Sequence, residues 1–492
     1  VYQTDANGYA LVDGTLREKD PTNGNDLYLT IDSGLQRNLD YLMSNAYSES
    51  GAEVVTAGVM EIKTGKILAM STYPSFNPNE RNISTFNNYF LEGTIECGSV
   101  FKPFIYADSI EEGKYDHNAY YNSGSYNVYY GNKLVATIKD HNGGQGWGTI
   151  TYDQGLYHSS NVAICNLLDQ GYVTKDVLTE KLNDLGFFQG DTMDGLTCSS
   201  SINAYTRKNA GRLEYLTTGF GQGSTVTPYQ LLKAYSVFGN DGKTVQPHIV
   251  DKVVNPETNK VVYQATPKYS KQIFSTNTIS QVKDLMLGVI EDEQGTGKTY
   301  RLDNDVRMIG KTGTGQVVEN GGYSTTLYMH SFVGIAPYDD PQVVMFLTFK
   351  SGDSYAQYMP NIVKQTMNEA LQVVNRYNAK NTTAVDQSCT LDSYTNQSVN
   401  YVKSKLESKS LSVQIIGNGS SVIEQYPLAK SKVTSGDKVF IKTEGKDITL
   451  PNLIGWSKKE VQTYASLAGI QLTIDGTSGH VTAQSVGENT IS

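Results

Sequence analysis

What this chain of 492 residues lacks first is basic charge: 40 Lys and Arg stand against 50 Asp and Glu, for a net charge of −10. No long run of Lys and Arg occurs. A basic groove for a nucleic-acid backbone is thereby excluded, and no nucleic-acid partner is expected. Cysteine is also scarce. Cys97, Cys165, Cys198 and Cys389 are scattered without a Cys-x-x-Cys pair, which argues against a zinc site or a dense disulfide framework and leaves a single disulfide open. Neither a metal nor any other cofactor is implied. There is no stretch of 18 apolar residues and no signal peptide. The chain opens at Val1 without Met and reads as a fragment without its natural N-terminus, so the missing anchor says little about the native protein. Charged residues make up only 18% of it while Tyr, Gly, Ser, Thr and Asn are plentiful, a composition that suits an extracytoplasmic protein rich in strands and turns.

The length exceeds one ordinary core, so two to four domains are expected. Residues 1–26 read as a polar tail, the remnant of an upstream region. Leu27 to Ile31 is a short strand candidate, and Asp32 through Ala46, with apolar Leu35, Leu39 and Leu42, a helix. A hairpin follows, Val54 to Ile62 and Ile67 to Ser71 around Lys63-Thr64-Gly65. Tyr120 to Trp147, dense in Tyr, Gly and Asn, reads as a long surface excursion. Strands return at Val306 to Val318, Ser331 to Ala336 and Gln342 to Lys350, before a helix with apolar Val363, Met367, Leu371 and Val374. Strands at both ends with helices between them predict an α/β domain whose distant segments share one sheet. Residues 379–392 read as a linker. Beyond it lies a repeat at a constant offset of 59 residues, pairing Ser398 with Ser457, Val402 with Val461, Val422 with Val481 and Gln425 with Gln484. Two small modules follow from this, 393–446 and 447–492, the second stopping early.

The chemistry begins at Ser99-Val100-Phe101-Lys102, a hydroxyl and an amine three residues apart. On a helix both lie on one face. The pattern is cheap, recurring at Ser280/Lys283 and Ser435/Lys438. Two further elements single out the first copy: Ser159-Ser160-Asn161, then Lys311-Thr312-Gly313 on a strand candidate. Each has its decoys, Ser-x-Asn at Ser75, Ser201 and Ser275, and Lys-Thr-Gly at the Lys63 hairpin turn. Order and context favour the trio. A serine needs a base beside it to attack a carbonyl at neutral pH. Lysine can serve if its pKa falls from near 10.4 to about neutral, at a cost of roughly 4 kcal/mol. Burial supplies part of that, and Lys311 is the candidate second cation for the rest. Ser159 would relay a proton to a leaving amine, and Asn161 offers a donor and an acceptor to a peptide-like substrate. Lys311, Thr312 and Thr314 would hold a substrate carboxylate, while Gly313 permits close approach of the strand edge. The backbone N–H groups of Ser99 and Thr314 would form an oxyanion hole. Gly295-Thr296-Gly297-Lys298-Thr299 ends like a phosphate loop but has Asp292 where that motif needs Gly. It reads as a turn, as does Gly219-Phe220-Gly221-Gln222-Gly223.

With these residues in order, the chain resembles a class B penicillin-binding protein, the D,D-transpeptidase family of peptidoglycan synthesis whose serine trio it carries. The resemblance runs from about Leu27 to the end of the chain and includes Leu29-Thr30-Ile31-Asp32, Thr64 to Met70, Pro74 to Asn79, Gly221 to Ser224 with Thr227-Pro228, and Phe332-Val333-Gly334 with Ala336-Pro337. The C-terminal repeats resemble PASTA modules, most clearly at Leu450-Pro451-Asn452-Leu453 with Gly455-Trp456-Ser457. The resemblance implies a transpeptidase domain over 27–378: an antiparallel sheet packed with helices beside an all-helical lobe, the active site at their junction. It implies a division-type enzyme of Gram-positive bacteria, anchored outside the membrane by an N-terminal helix. Its expected partners are stem peptides and lipid II-derived glycan strands, β-lactam antibiotics, a SEDS-type glycosyltransferase and other division proteins. Trp147 falls where similar enzymes place an aromatic near the cleft, or is a packed loop anchor. Two positions depart from the family pattern: Cys97 replaces a usual Pro, and Gly315 a usual Ala. Cys97 reads as a small packing residue or as an accessible thiol whose modification blocks the site. A serine β-lactamase shares the trio, and a non-catalytic penicillin or muropeptide sensor could keep it idle. The repeats and length argue against the first, the intact trio against the second.

Overall fold

The computed structural model describes residues 7, 24–77, 83, 86–302, 306–319, 321–382, 388–407, 409, 411–434, 437–445, 447–475, 481 and 483–486. Most of the expected tail, Pro78 and Asn79 of the quoted motif, Ser435, the middle of the expected linker and parts of the second module lie outside them.

A five-stranded antiparallel sheet organises the larger part. Its strands are β1 (Val54–Glu61), β2 (Ile67–Tyr73), β3 (Ile309–Glu319), β4 (Gly322–Ala336) and β5 (Val343–Ser351), in the order β3-β4-β5-β1-β2. Segments far apart in the chain therefore share one sheet. Strand β1 is buried along its whole length, as its near-continuous apolar run requires when both faces are covered. Side chains alternate between two cores. Val55, Ala57 and Val59 face helices α1 (Ser33–Ser50) and α6 (Met359–Thr382), while Met60 joins the helical side. Helix α1 starts where the Asp32 carboxylate accepts the Gly34 and Leu35 N–H groups at 3.0 Å each, and it ends at Gly51, φ +68°. It extends one turn beyond the expected Ala46. Strand β4 begins at Gly322, nine residues before the expected Ser331, because it continues as one arm of a hairpin with β3.

The region expected as a surface excursion is instead built of strand pairs. Tyr120–Asn122 pairs with Thr149–Thr151, and Ser125–Tyr130 with Lys133–Lys139. Tyr121, Val128 and Ile138 enter the main core. The stretch expected as a linker, 379–392, is ordered at both ends: α6 runs to Thr382, and Ser388–Thr390 pairs with Lys432–Thr434 of the first module.

The repeat recurs bond for bond. The Gln425 side chain accepts the Tyr394 N–H at 2.7 Å, and that of Gln484 accepts the Leu453 N–H at 2.7 Å. Asn396 donates to the Val422 carbonyl and Gly455 to that of Val481, both at 2.8 Å. Among the described residues, the second module shares its core with the first. Its Leu453, Val461 and Tyr464 pack with Ile416 and Phe440 of the first, and Lys438 sits 3.5 Å from the Trp456 ring centroid.

Helix α2 (Lys102–Glu111) is buried on nearly every side. Its Asp108 is 1% exposed and neither carboxylate oxygen has a hydrogen-bond partner. Burial holds this carboxyl well above the usual range, with Lys181 opposing and Glu112 and Glu111 adding to the rise. In the unfolded chain it ionises near pH 3.9. Stability from this group is therefore present below that pH and lost as pH rises, by up to about 1.4 kcal/mol per pH unit until the folded group ionises. Asp108→Asn removes this loss. Urea unfolding should show the variant's advantage widening from about pH 4.5 to about pH 7.5; equal differences at both would overturn the assignment.

Candidate active site

Ser99 lies not on an α-helix but on a 3₁₀ turn, Gly98–Phe101, that runs directly into α2. In that geometry residues three apart eclipse, which stacks Ser99 over Lys102. Gly98 has φ +61°, and a Cβ there would fall 2.3 Å from the Thr314 carbonyl oxygen, so only glycine fits. Its N–H donates to the Gly221 carbonyl at 3.0 Å, and the Tyr235 hydroxyl donates to that of Val100 at 2.5 Å. The Gly-rich stretch at Gly221 is thus a turn that backs the Ser99 segment.

Ser159 is the meeting point. It occupies the bend between α3 (Tyr152–Tyr157) and α4 (Asn161–Asp169), with φ +58°, a left-handed conformation that costs a non-glycine residue on the order of 1–3 kcal/mol. Its carbonyl accepts from Lys102 Nζ at 2.5 Å. Its Oγ lies 3.4 Å from Lys102 Nζ and accepts from Lys311 Nζ at 2.8 Å. Lys311 comes from β3 and also donates to the Thr312 carbonyl at 3.0 Å. Both lysines are fully buried. Burial lowers Lys102 to about 7, with Asp140 and Cys165 opposing. Lys311 is pushed well below its ordinary value, first by burial and then by Lys102. Desolvation is the leading cause for both lysines, and the repulsion between the two amines belongs to the pair.

Asn161 Nδ2 donates to the Lys139 carbonyl at 2.9 Å, which commits one of its N–H bonds and leaves Oδ1 to accept from a ligand. Thr312 is half-buried and Thr314 exposed, and a Cβ on Gly313 would lie 2.7 Å from the Cys97 carbonyl oxygen. Trp147 stacks on His158 at 4.5 Å and 10°, and lies 5.4 Å from His141. It is therefore both a packed ring and a neighbour of Ser159. His141 is lowered by burial, then by Lys102 and Lys311. Cys97 is 1% exposed and its thiol is pushed up by burial. It is a packing residue, which corrects the accessible-thiol alternative. All four cysteines are free.

Two residues near these groups were not singled out for the site in the sequence. Asp140 is 2% exposed. Its Oδ1 accepts from Ser160 Oγ at 2.8 Å, Asn161 N at 2.7 Å and Val162 N at 3.1 Å, and its Oδ2 from Gly124 N at 2.8 Å. A carboxylate so placed caps α4 and fixes the Ser159 bend. Thr296, dismissed with the phosphate-loop pattern, accepts from the Thr312 hydroxyl at 2.8 Å. The decoys sit elsewhere: Lys63-Thr64-Gly65 forms the β1–β2 turn with Gly65 at φ +81°, and Lys283 lies 5.0 Å from the Tyr338 ring centroid.

The family described as penicillin binding protein transpeptidase domain matches residues 55–372, and the PASTA domain matches 390–445 and 448–492. The chain is 29% identical over 466 residues to stage V sporulation protein D of Bacillus subtilis, covering 91% of this chain and 69% of that protein. It is 27% identical to a peptidoglycan D,D-transpeptidase FtsI homolog of Mesostigma viride, covering 69% of this chain but only 60% of the relative's length. Among solved structures, penicillin binding protein 2X of Streptococcus thermophilus aligns with a TM-score of 0.67 at 24% identity, over 100% of this chain and 74% of that one. Penicillin binding protein 3 of Mycobacterium tuberculosis aligns at 0.63 and 23%, over 76% and 88%. These structural likenesses carry the fold: an α/β transpeptidase fold followed by PASTA domains.

A Cβ at Gly315 would fall 1.7 Å from the Glu96 carbonyl oxygen. Gly315→Ala must push β3 from the Ser99 turn. We expect it to lower stability by about 1–3 kcal/mol, the usual cost of overpacking, read as a lower thermal midpoint. An unchanged midpoint would overturn this close approach.

Proposed function

The chain belongs to the class B penicillin-binding protein transpeptidases that carry PASTA domains, and from that premise we propose that it cross-links peptidoglycan stem peptides through an acyl-enzyme on Ser99. The single observation that carries the reading is a buried Lys102, lowered to about 7, beside a Ser159 hydroxyl held by a second buried lysine. Neutral Lys102 accepts the Ser99 proton as Oγ attacks the penultimate D-alanine carbonyl. The N–H groups of Ser99 and Thr314 take the developing oxyanion. Ser159 passes the proton to the departing D-alanine amine, so the peptide C–N bond breaks and a serine ester remains. An amine of a neighbouring strand then attacks the ester, restoring the Ser99 hydroxyl. Asn161 orients the peptide, Trp147 borders the cleft through His158, and Lys311, Thr312 and Thr314, with Gly313 giving clearance, hold the terminal carboxylate. A β-lactam would acylate the same serine.

The finer reading is a septal enzyme working with a SEDS-type glycosyltransferase, held at the outer face of the membrane by an N-terminal helix. The PASTA domains support it. No helix among the described residues is long and apolar enough to cross a membrane.

Intact mass after benzylpenicillin should show one stable adduct on the wild type and none on Ser99→Ala; no adduct on the wild type would overturn the reading. The base assignment fixes a pH profile. Lys102 must be neutral to act, so acylation should rise through about pH 7 and level off above it. Asp140 favours the charged form, while Lys311 and His141 face the same space. Asp140→Asn should move the rise to lower pH, and a rise first appearing near pH 10 would rule out Lys102 as the base.

A further inference from the structure

The loop Gly295-Thr296-Gly297, which follows helix α5 (Thr276–Glu291), touches two of the site's elements at once. The Thr296 N–H donates to the Tyr157 carbonyl at 3.1 Å, two residues before Ser159. Its side-chain hydroxyl accepts from Thr312 Oγ1 at 2.8 Å. The loop is itself anchored. The Gly297 N–H donates to the Val289 carbonyl, and that of Gly295 to Asp292, both at 2.9 Å. A Cβ at Gly295 would fall 2.4 Å from the Val289 carbonyl oxygen, so the loop lies close against the end of its own helix.

A carboxylate is an acceptor only and must be met by donors. Thr312 has one hydroxyl proton, and without ligand it is spent on Thr296. When a carboxylate arrives, Thr312 can turn that proton to it, and its own oxygen is then open to receive another. Thr296 carries a hydroxyl at that point, and a chain of two hydroxyls polarises in the direction of the anion. We propose that Thr296 is a positioning residue for the substrate's terminal carboxylate, orienting the Thr312 hydroxyl as a donor and tying the Lys-Thr-Gly strand to the Ser159 bend. The proposal rests on the transpeptidase reading above, in which Thr312 meets that carboxylate.

The test compares acylation of wild type, Thr296→Val and Thr296→Ser by benzylpenicillin and by its methyl ester, which lacks the free carboxylate. Val keeps the shape and the backbone bond to Tyr157. Thr296→Val should lose about tenfold in second-order acylation by benzylpenicillin, the scale of one hydrogen bond to a charged group. The loss should lie in the saturation constant rather than the limiting rate. Thr296→Ser should retain the wild-type rate, and the methyl ester should react equally with wild type and Thr296→Val. An equal loss with both ligands would make Thr296 a scaffold residue and overturn the proposal, as would no loss at all. If Thr296→Val fails to fold, the same ratio is read from Thr296→Ala. Failure of the wild type to form an adduct would instead overturn the underlying reading, and this proposal with it.

Discussion

Two lysines buried against one serine hydroxyl are the constraint on which the rest of the structure depends. Water would keep both ammonium groups charged. A dry site cannot hold two like charges within reach of the same Ser159 oxygen, so a proton is given up and a basic amine exists at neutral pH. That outcome requires the amines to be sealed, and the fold supplies the seal. Helix α2 runs through the helical core, its own Phe104 and Tyr106 buried there beside Phe101, and β3 brings in Lys311 from about two hundred residues further along the chain. The sheet order puts that late strand at an edge where it can lie along the Ser99 turn. The left-handed Ser159 then presents both its carbonyl and its hydroxyl to the amines. Asp140 offsets the strain of that bend by accepting four hydrogen bonds from the groups around it.

Legibility in the sequence followed the range over which each residue acts. Ser99 and Lys102 are three apart, and Lys311, Thr312 and Gly313 are consecutive, so chemistry that needs them together leaves a local pattern. The hairpin of β1 and β2 was equally local. Asp140 and Thr296 leave no such trace. Asp140 ends a strand whose alternation says nothing of the helix terminus it caps, and Thr296 lies in a turn whose glycines imitate a phosphate loop. Their partners are set by how the Tyr-rich strand pairs and α5 fold back, which no spacing encodes. The completeness of the Lys102 burial is hidden for the same reason: a second cation can be read from a motif, but full enclosure cannot. The surface stretch over Tyr120 to Trp147 hides its strand pairs because its Gly and Asn mark turns of hairpins whose alternate side chains reach the core.

The C-terminal repeats show where sequence symmetry stops being structural symmetry. The same backbone-to-glutamine bond closes both modules, at Tyr394 with Gln425 and at Leu453 with Gln484. In the first module a strand from Lys438 to Thr443 then completes a sheet with Ser412–Ile416 and Val422–Tyr426. Among the described residues the second module presents helix Lys458–Ala468, whose Val461 and Tyr464 share one apolar cluster with Ile416 and Phe440 of the first. The Lys438 cation covers the Trp456 ring at the same contact. The two copies are therefore joined through a common apolar core as well as by repetition.

The two departures from the family pattern near Ser99 meet in space, and their consequences are opposite. Cys97 looks the more disruptive on paper, since it replaces a rigid residue two positions before Ser99. Yet its side chain joins the apolar core, and its backbone φ of −79° is one a proline would also adopt. What faces β3 is the carbonyl of Cys97, a feature common to every residue type, so this position can change without moving the strand. Gly315 has no such freedom. Its Cα lies so near the Glu96 carbonyl that a single methyl would overlap it. With Gly313 clearing Cys97 and Gly98 clearing Thr314, the contact between the Ser99 turn and β3 is backbone against backbone. Glycine at 315 is what lets β3 lie against the Glu96 carbonyl, with the Thr314 carbonyl next to it packed on the Gly98 backbone of the Ser99 turn.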